Sequence, residues 1–79
     1  MKTLTVNDLN PGDIGIVRKY HGSGEVKRHL RELGLVNGTK IKVERRAPLG
    51  YPIEVKIQGF NLALRKEEAE LIELETNSK

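Results

Sequence analysis

Apolar and polar positions change period several times along the 79 residues, and each change predicts an element. Ile14, Ile16 and Val17 to Tyr20 follow the turn residues of "LNPGD" and read as a strand. Gly15 interrupts that strand, which predicts a bulge or the close approach of another backbone. In "HGSGEVKRHLRELGL" the apolar spacing stretches to three and four residues, so Val26, Leu30 and Leu33 form one stripe on a short helix. Ser23 or Gly24 is placed to cap its start. At the other end Gly34 suits the left-handed C′ position, with Leu35 at C″ packing back on Leu30.

Asn37-Gly38 is a strong turn pair and opens a second strand, in which Ile41 and Val43 face one side while Lys40, Lys42 and Glu44 face the other. Ile53, Val55 and Ile57 alternate with Glu54, Lys56 and Gln58 in the same way, so the two runs predict a hairpin around "APLGYP", with Pro52 at a strand end or edge. The remaining chain gives a short apolar run at Leu62 to Leu64, a charged turn or single helical turn at Arg65 to Glu70, and a last strand at Leu71 to Leu74. Residues 1–75 make one domain, and the tail 76–79 is expected to fray. About five short strands with one inserted α-helix predict a mainly β fold, a small SH3-like antiparallel β-barrel whose closure hides strand edges.

The loop inside the hairpin, "RRAPLGYP", is more than a chain reversal needs. Pro48 and Pro52 stiffen it, Gly50 lies between them, and Leu49 and Tyr51 bring apolar bulk to its tip. One reading is a preformed knob in which Pro48, Leu49, Gly50, Tyr51 and Pro52 bind a partner, since rigidity reduces the entropy lost on docking. The other is that Leu49 or Tyr51 folds back to plug one end of the barrel, because a small core recruits any nearby apolar group. Sequence leaves both open.

Composition narrows the chemistry. The chain has no cysteine, so disulfides, thiolate catalysis and cysteine-based zinc sites are excluded. The start lacks the apolar core of a signal peptide, and no run approaches the ~20 apolar residues that span a bilayer, so a cytoplasmic location without membrane insertion is expected. The formal charge of +3 is interspersed, and aromatic residues make up 4%, too few for a stacking platform for single-stranded nucleic acid.

Taken in order, "LNPGDIGIV", "LRELGLVNGTKIKV", "APLGYPIEVKIQG" and "LALRKEEAELIEL" resemble the ferrous iron transport protein A (FeoA) family in arrangement and spacing over nearly the whole chain. Asn37 stands where that family often has proline, and Asn-Gly still favours the turn. The resemblance implies an SH3-like barrel with an inserted helical segment. It also implies a small cytoplasmic partner of the FeoB-type ferrous iron transporter, whose cytoplasmic part is a GTPase, with no enzymatic activity or cofactor of its own.

Other chemistry is weighed beside this. Glu25, His29 and Glu32 fall on one flank of the helix and could hold a divalent transition metal weakly, or simply form a solvated flank. His21 lies beside glycines at 22 and 24 that lack the ending of a phosphate loop. Arg45, Arg46 and Arg65 could act in trans on a partner's GTPase site or serve as surface ion pairs. The alternative class, a nucleic-acid-binding SH3-like module, draws on Lys40, Lys42, Arg45 and Arg46. Neither a Ser-His-Asp set nor any other nucleophile with an orienting partner is recognisable.

Overall fold

A computed structural model describes residues 4–22 and 24–75. The chain runs through β1 (Leu4–Thr5), a 3₁₀ turn (Val6–Asp8), β2 (Ile14–Tyr20), α1 (Gly24–Glu32), β3 (Lys40–Arg46), β4 (Ile53–Ile57), β5 (Phe60–Leu64), α2 (Lys66–Ala69) and β6 (Ile72–Glu75). The strands form one antiparallel sheet in the order β1-β6-β2-β3-β4-β5. The sheet has six strands rather than about five. The additional one is β1, where Leu4 and Thr5 pair with Leu74 and Glu73, and two residues are too few to carry a period. No described helix is long and apolar enough to cross a membrane.

The inward-facing apolar residues of β2 to β6 converge on a single core, while Ile14 of β2 is exposed on the other face. Val17, Ile41, Val43, Ile53, Val55, Ile57, Leu64, Ile72 and Leu74 are all buried. Six flat strands spaced about 4.8 Å apart would make a plate roughly 10 Å thick. The molecule instead measures 29 × 27 × 25 Å, so the sheet coils around its own apolar face. Hydrogen bonds do not complete that coil, because β1 and β5 are the two ends of the ladder and do not pair with each other. Side chains from outside the long strands complete the core: Val6 and Leu9 from the N-terminal turn, Leu30 and Leu35 from α1 and its exit, and Ala69 from α2. The fold is the mainly β, SH3-like one expected, and among the described residues β5 keeps one edge that no other strand pairs.

The helix exit forms as its sequence predicts. Gly34, at φ 92°, donates its N–H to the Arg31 carbonyl at 3.0 Å, and Leu35 donates to the Leu30 carbonyl at 3.1 Å. These are the two hydrogen bonds of a Schellman motif, and they turn Leu35 into the core beside Leu30. Of the two expected N-caps, Ser23 lies outside the described residues. Gly15 faces a side chain rather than a backbone. A Cβ placed on it would lie 2.8 Å from Leu74 Cδ1 and 3.2 Å from Leu74 Cβ. The sequence reading carries the β4 alternation to Gln58 and begins the next strand at Leu62, but β4 ends at Ile57 and β5 begins at Phe60. Between them Gln58 (φ 36°) and Gly59 (φ 90°) make a two-residue hairpin turn with both residues left-handed. Gln is a weak signal for that turn, since asparagine and aspartate are the residues that favour it.

Two stability changes follow. Gly15→Val overpacks the β2–β6 contact at Leu74 and should lower unfolding free energy by about 1–3 kcal/mol, read from the denaturant midpoint. Gln58→Asn places a residue suited to positive φ at the β4–β5 turn and should raise stability by roughly 0.5–1 kcal/mol.

Candidate functional site

The β3–β4 loop is built on Arg46, the last residue of β3. Its guanidinium donates to the Asn7 carbonyl at 2.6 Å and the Leu9 carbonyl at 2.8 Å, with a longer contact to the Gly50 carbonyl at 3.5 Å. It also lies over the Tyr51 ring, 5.8 Å from the centroid. One planar fork thus ties the N-terminal turn to both sides of the loop, which a flexible ammonium does not reproduce. Within the loop, Gly50 donates to the Ala47 carbonyl at 2.7 Å and Ala47 donates to the Pro52 carbonyl at 3.2 Å. Pro48 occupies the second position of that tight turn, where its fixed φ is already suitable.

This framework separates two residues that the sequence treats alike. Leu49 projects from the turn and is 95% exposed, the most exposed large apolar side chain among the described residues. Tyr51 is partly buried and packs against the core under Arg46. Leu49 therefore stands as a knob, whereas Tyr51 acts as a plug. Beside the loop runs a groove of about 420 Å³ lined by Arg45, Arg46, Pro48, Pro52 and Glu54, with Asn61, Leu62 and Ala63 of β5 on its far side.

The outer face of the sheet beside this groove is cationic. Lys42 pairs directly with Lys56, and Lys56 with Asn61, along one exposed row. Like charges directly opposite each other oppose folding. Arg45 is held by Glu54 at 2.7 Å. Arg46 is turned inward onto carbonyls, so the basic cluster expected for nucleic acid loses two of its four members to internal contacts. An arginine supplied to a partner's GTPase site is likewise not what Arg46 is placed to be.

The proposed metal flank does not assemble. His29 faces Glu68 of α2 at 3.4 Å, and a shallow pocket takes in Glu25 and His29 without Glu32. Among the described residues no three histidine, aspartate or glutamate side chains come together as a metal-holding group. A contact that sequence reasoning missed is His21 with Glu73, 2.7 Å apart and joined by Arg18 at 3.7 Å. The pair lies 52 residues apart in sequence, beyond the reach of any local pattern. The His21 hydrogen bond holds the Glu73 carboxyl below its ordinary value of 4.5; partial burial pushes the other way, and the charges of Arg18, His21 and Lys19 add to the lowering.

Comparison with known proteins places this geometry in context. The family model for the FeoA domain matches residues 4–76. An Fe(2+) transport protein A/Fe(2+) transporter FeoB fusion protein of Porphyromonas gingivalis is 33% identical over 72 residues, which is 91% of this chain. The chain spans only 8% of that much longer protein. Among solved structures, the FeoA-like protein of Clostridium acetobutylicum superposes with a TM-score of 0.90 at 32% identity, covering 100% of this chain and 92% of that one. The FeoA of Stenotrophomonas maltophilia, complexed with zinc and described as a prokaryotic SH3-domain protein, gives 0.74 at 28% identity, covering 91% and 89%.

Arg46→Lys keeps the charge but loses the fork, and should destabilise the protein by about 1.5–3 kcal/mol in chemical denaturation. Because the folded pKa of Glu73 is lowered, its contribution to stability is present above the unfolded value near 4.5 and is lost as pH falls through the folded pKa. Stability should thus decline on acidification below about pH 4.5, and Glu73→Gln should flatten that decline in a series of denaturation curves.

Proposed function

The chain belongs to the FeoA family, a small accessory family of ferrous iron transport with an SH3-like fold, and we propose that it binds the cytoplasmic GTPase-containing part of a FeoB-type transporter. The observation that carries this reading is the Porphyromonas gingivalis relative, in which an FeoA segment and FeoB occupy one polypeptide. Fusion keeps two units at a high effective concentration, which favours a contact that a separate chain must achieve by affinity. On this reading the protein works in the cytoplasm, is not an enzyme, and acts by its shape. The loop at residues 47–52 is its docking element. Leu49 offers apolar area that costs little to immobilise, because Arg46 and the tight turn already hold the loop in place.

Burying one leucine contributes about 1.5–3 kcal/mol, which corresponds to at least a tenfold change in Kd. Leu49→Ser should therefore weaken binding to the transporter's cytoplasmic part by about that factor in calorimetric titration, with an unchanged melting temperature. Tyr51→Ser should lower the melting temperature, because that ring packs on the core. Undiminished binding by the Leu49 variant would remove the loop from the interface. A wild-type protein that fails to bind in any nucleotide state would remove the proposed partner.

A further inference from the structure

The open edge of β5 is formed by specific atoms. Ile57 and Phe60 flank the two-residue turn, so they exchange hydrogen bonds with each other, as do Val55 with Leu62 and Ile53 with Leu64 at the same period. Asn61 and Ala63 then point their N–H and C=O groups away from β4. Among the described residues no strand pairs on that side. The inward row is also incompletely covered. Leu64 is buried, but Leu62 is only partly buried and Phe60 is 49% exposed, because the sheet ends before another strand can cover them. On the outward side stands the Lys42–Lys56 pair, with no acid bound to either ammonium among the described residues.

From these features we infer that β5 is a strand-addition site, and that its occupant is an extended partner segment with apolar residues alternating with acidic ones. The backbone of such a segment satisfies Asn61 and Ala63, its apolar side chains cover Phe60 and Leu62, and its carboxylates reach toward Lys56. The segment then runs along the groove beside Pro48 and Pro52, so the docking loop and the edge belong to one continuous surface. A second copy of this chain is a poorer occupant. Pairing β5 with β5 would bring two sets of Lys56, Arg65 and Lys66 together on molecules that each carry a net charge of +3.

The inference rests on the transporter reading above, and the experiment separates the two. Amide hydrogen exchange is followed on the full chain, free and with the GTPase-containing cytoplasmic part of the transporter. Protection of the Asn61 and Ala63 amides should rise at least tenfold in the complex, while Phe60, Leu62 and Leu64, already bonded to β4, change little. Ala63→Pro removes one outward N–H without removing a ladder bond and should weaken the complex at least tenfold with the fold retained. Lys56→Glu should raise the denaturation midpoint by removing a like-charge pair, yet weaken the complex severalfold. A complex in which Asn61 and Ala63 still exchange freely would overturn strand addition and leave the partner standing. Absence of any complex would overturn both. Protection that grows with the concentration of this chain alone would assign the edge to a second copy and overturn the proposed occupant.

Discussion

The constraint from which the rest follows is that a short chain must bury one face of every long strand in a single core. With few residues available to cover that face, the sheet has to cover itself, and strong coiling is the way it does so. The nearly equal dimensions of the molecule are the direct outcome. The two ends of the ladder do not pair with each other, and apolar side chains from the N-terminal turn, α1 and α2 complete the core. The fold is thus sealed by packing at one seam and by hydrogen bonds everywhere else.

Arg46 belongs to that seam. Its guanidinium satisfies carbonyls of the segment that carries Val6 and Leu9 into the core, and at the same time supports Tyr51 and the base of the β3–β4 loop. The N-terminal seal and the orientation of Leu49 are therefore properties of one side chain. Exposed loops on small domains are expected to be mobile; this one is tied down by the same contacts that hold the fold together. That arrangement explains how a small domain can present an apolar side chain to water in a fixed position.

Charge adds a second theme. The exposed row that carries Lys42 opposite Lys56 sits beside the unpaired strand, and both features oppose the isolated protein: one by repulsion, the other by leaving backbone groups and part of an apolar row to solvent. Arg18, His21 and Glu73, on the β2–β6 side, satisfy one another instead. Near the Leu49 loop, Arg45 and Glu54 compensate each other, while the Lys42–Lys56 pair is left without an acid among the described residues.

The parts governed by local period and turn chemistry were legible from the residues alone. The alternation of Ile41, Val43, Ile53, Val55 and Ile57, the stripe of Val26, Leu30 and Leu33, and the stop at Gly34 and Leu35 all appear as read, because each depends on residues within one or two turns of chain. The motif order along the chain carried the family in the same way. The other features depend on partners far apart in sequence: whether Leu49 or Tyr51 faces inward, that Arg46 serves the fold rather than the surface, that His29 meets Glu68 and His21 meets Glu73, and that β5 ends the sheet with no strand beyond it among the described residues. None of these leaves a local signature, since the same side chain is a knob, a plug or a clasp according to what the coiled sheet brings against it.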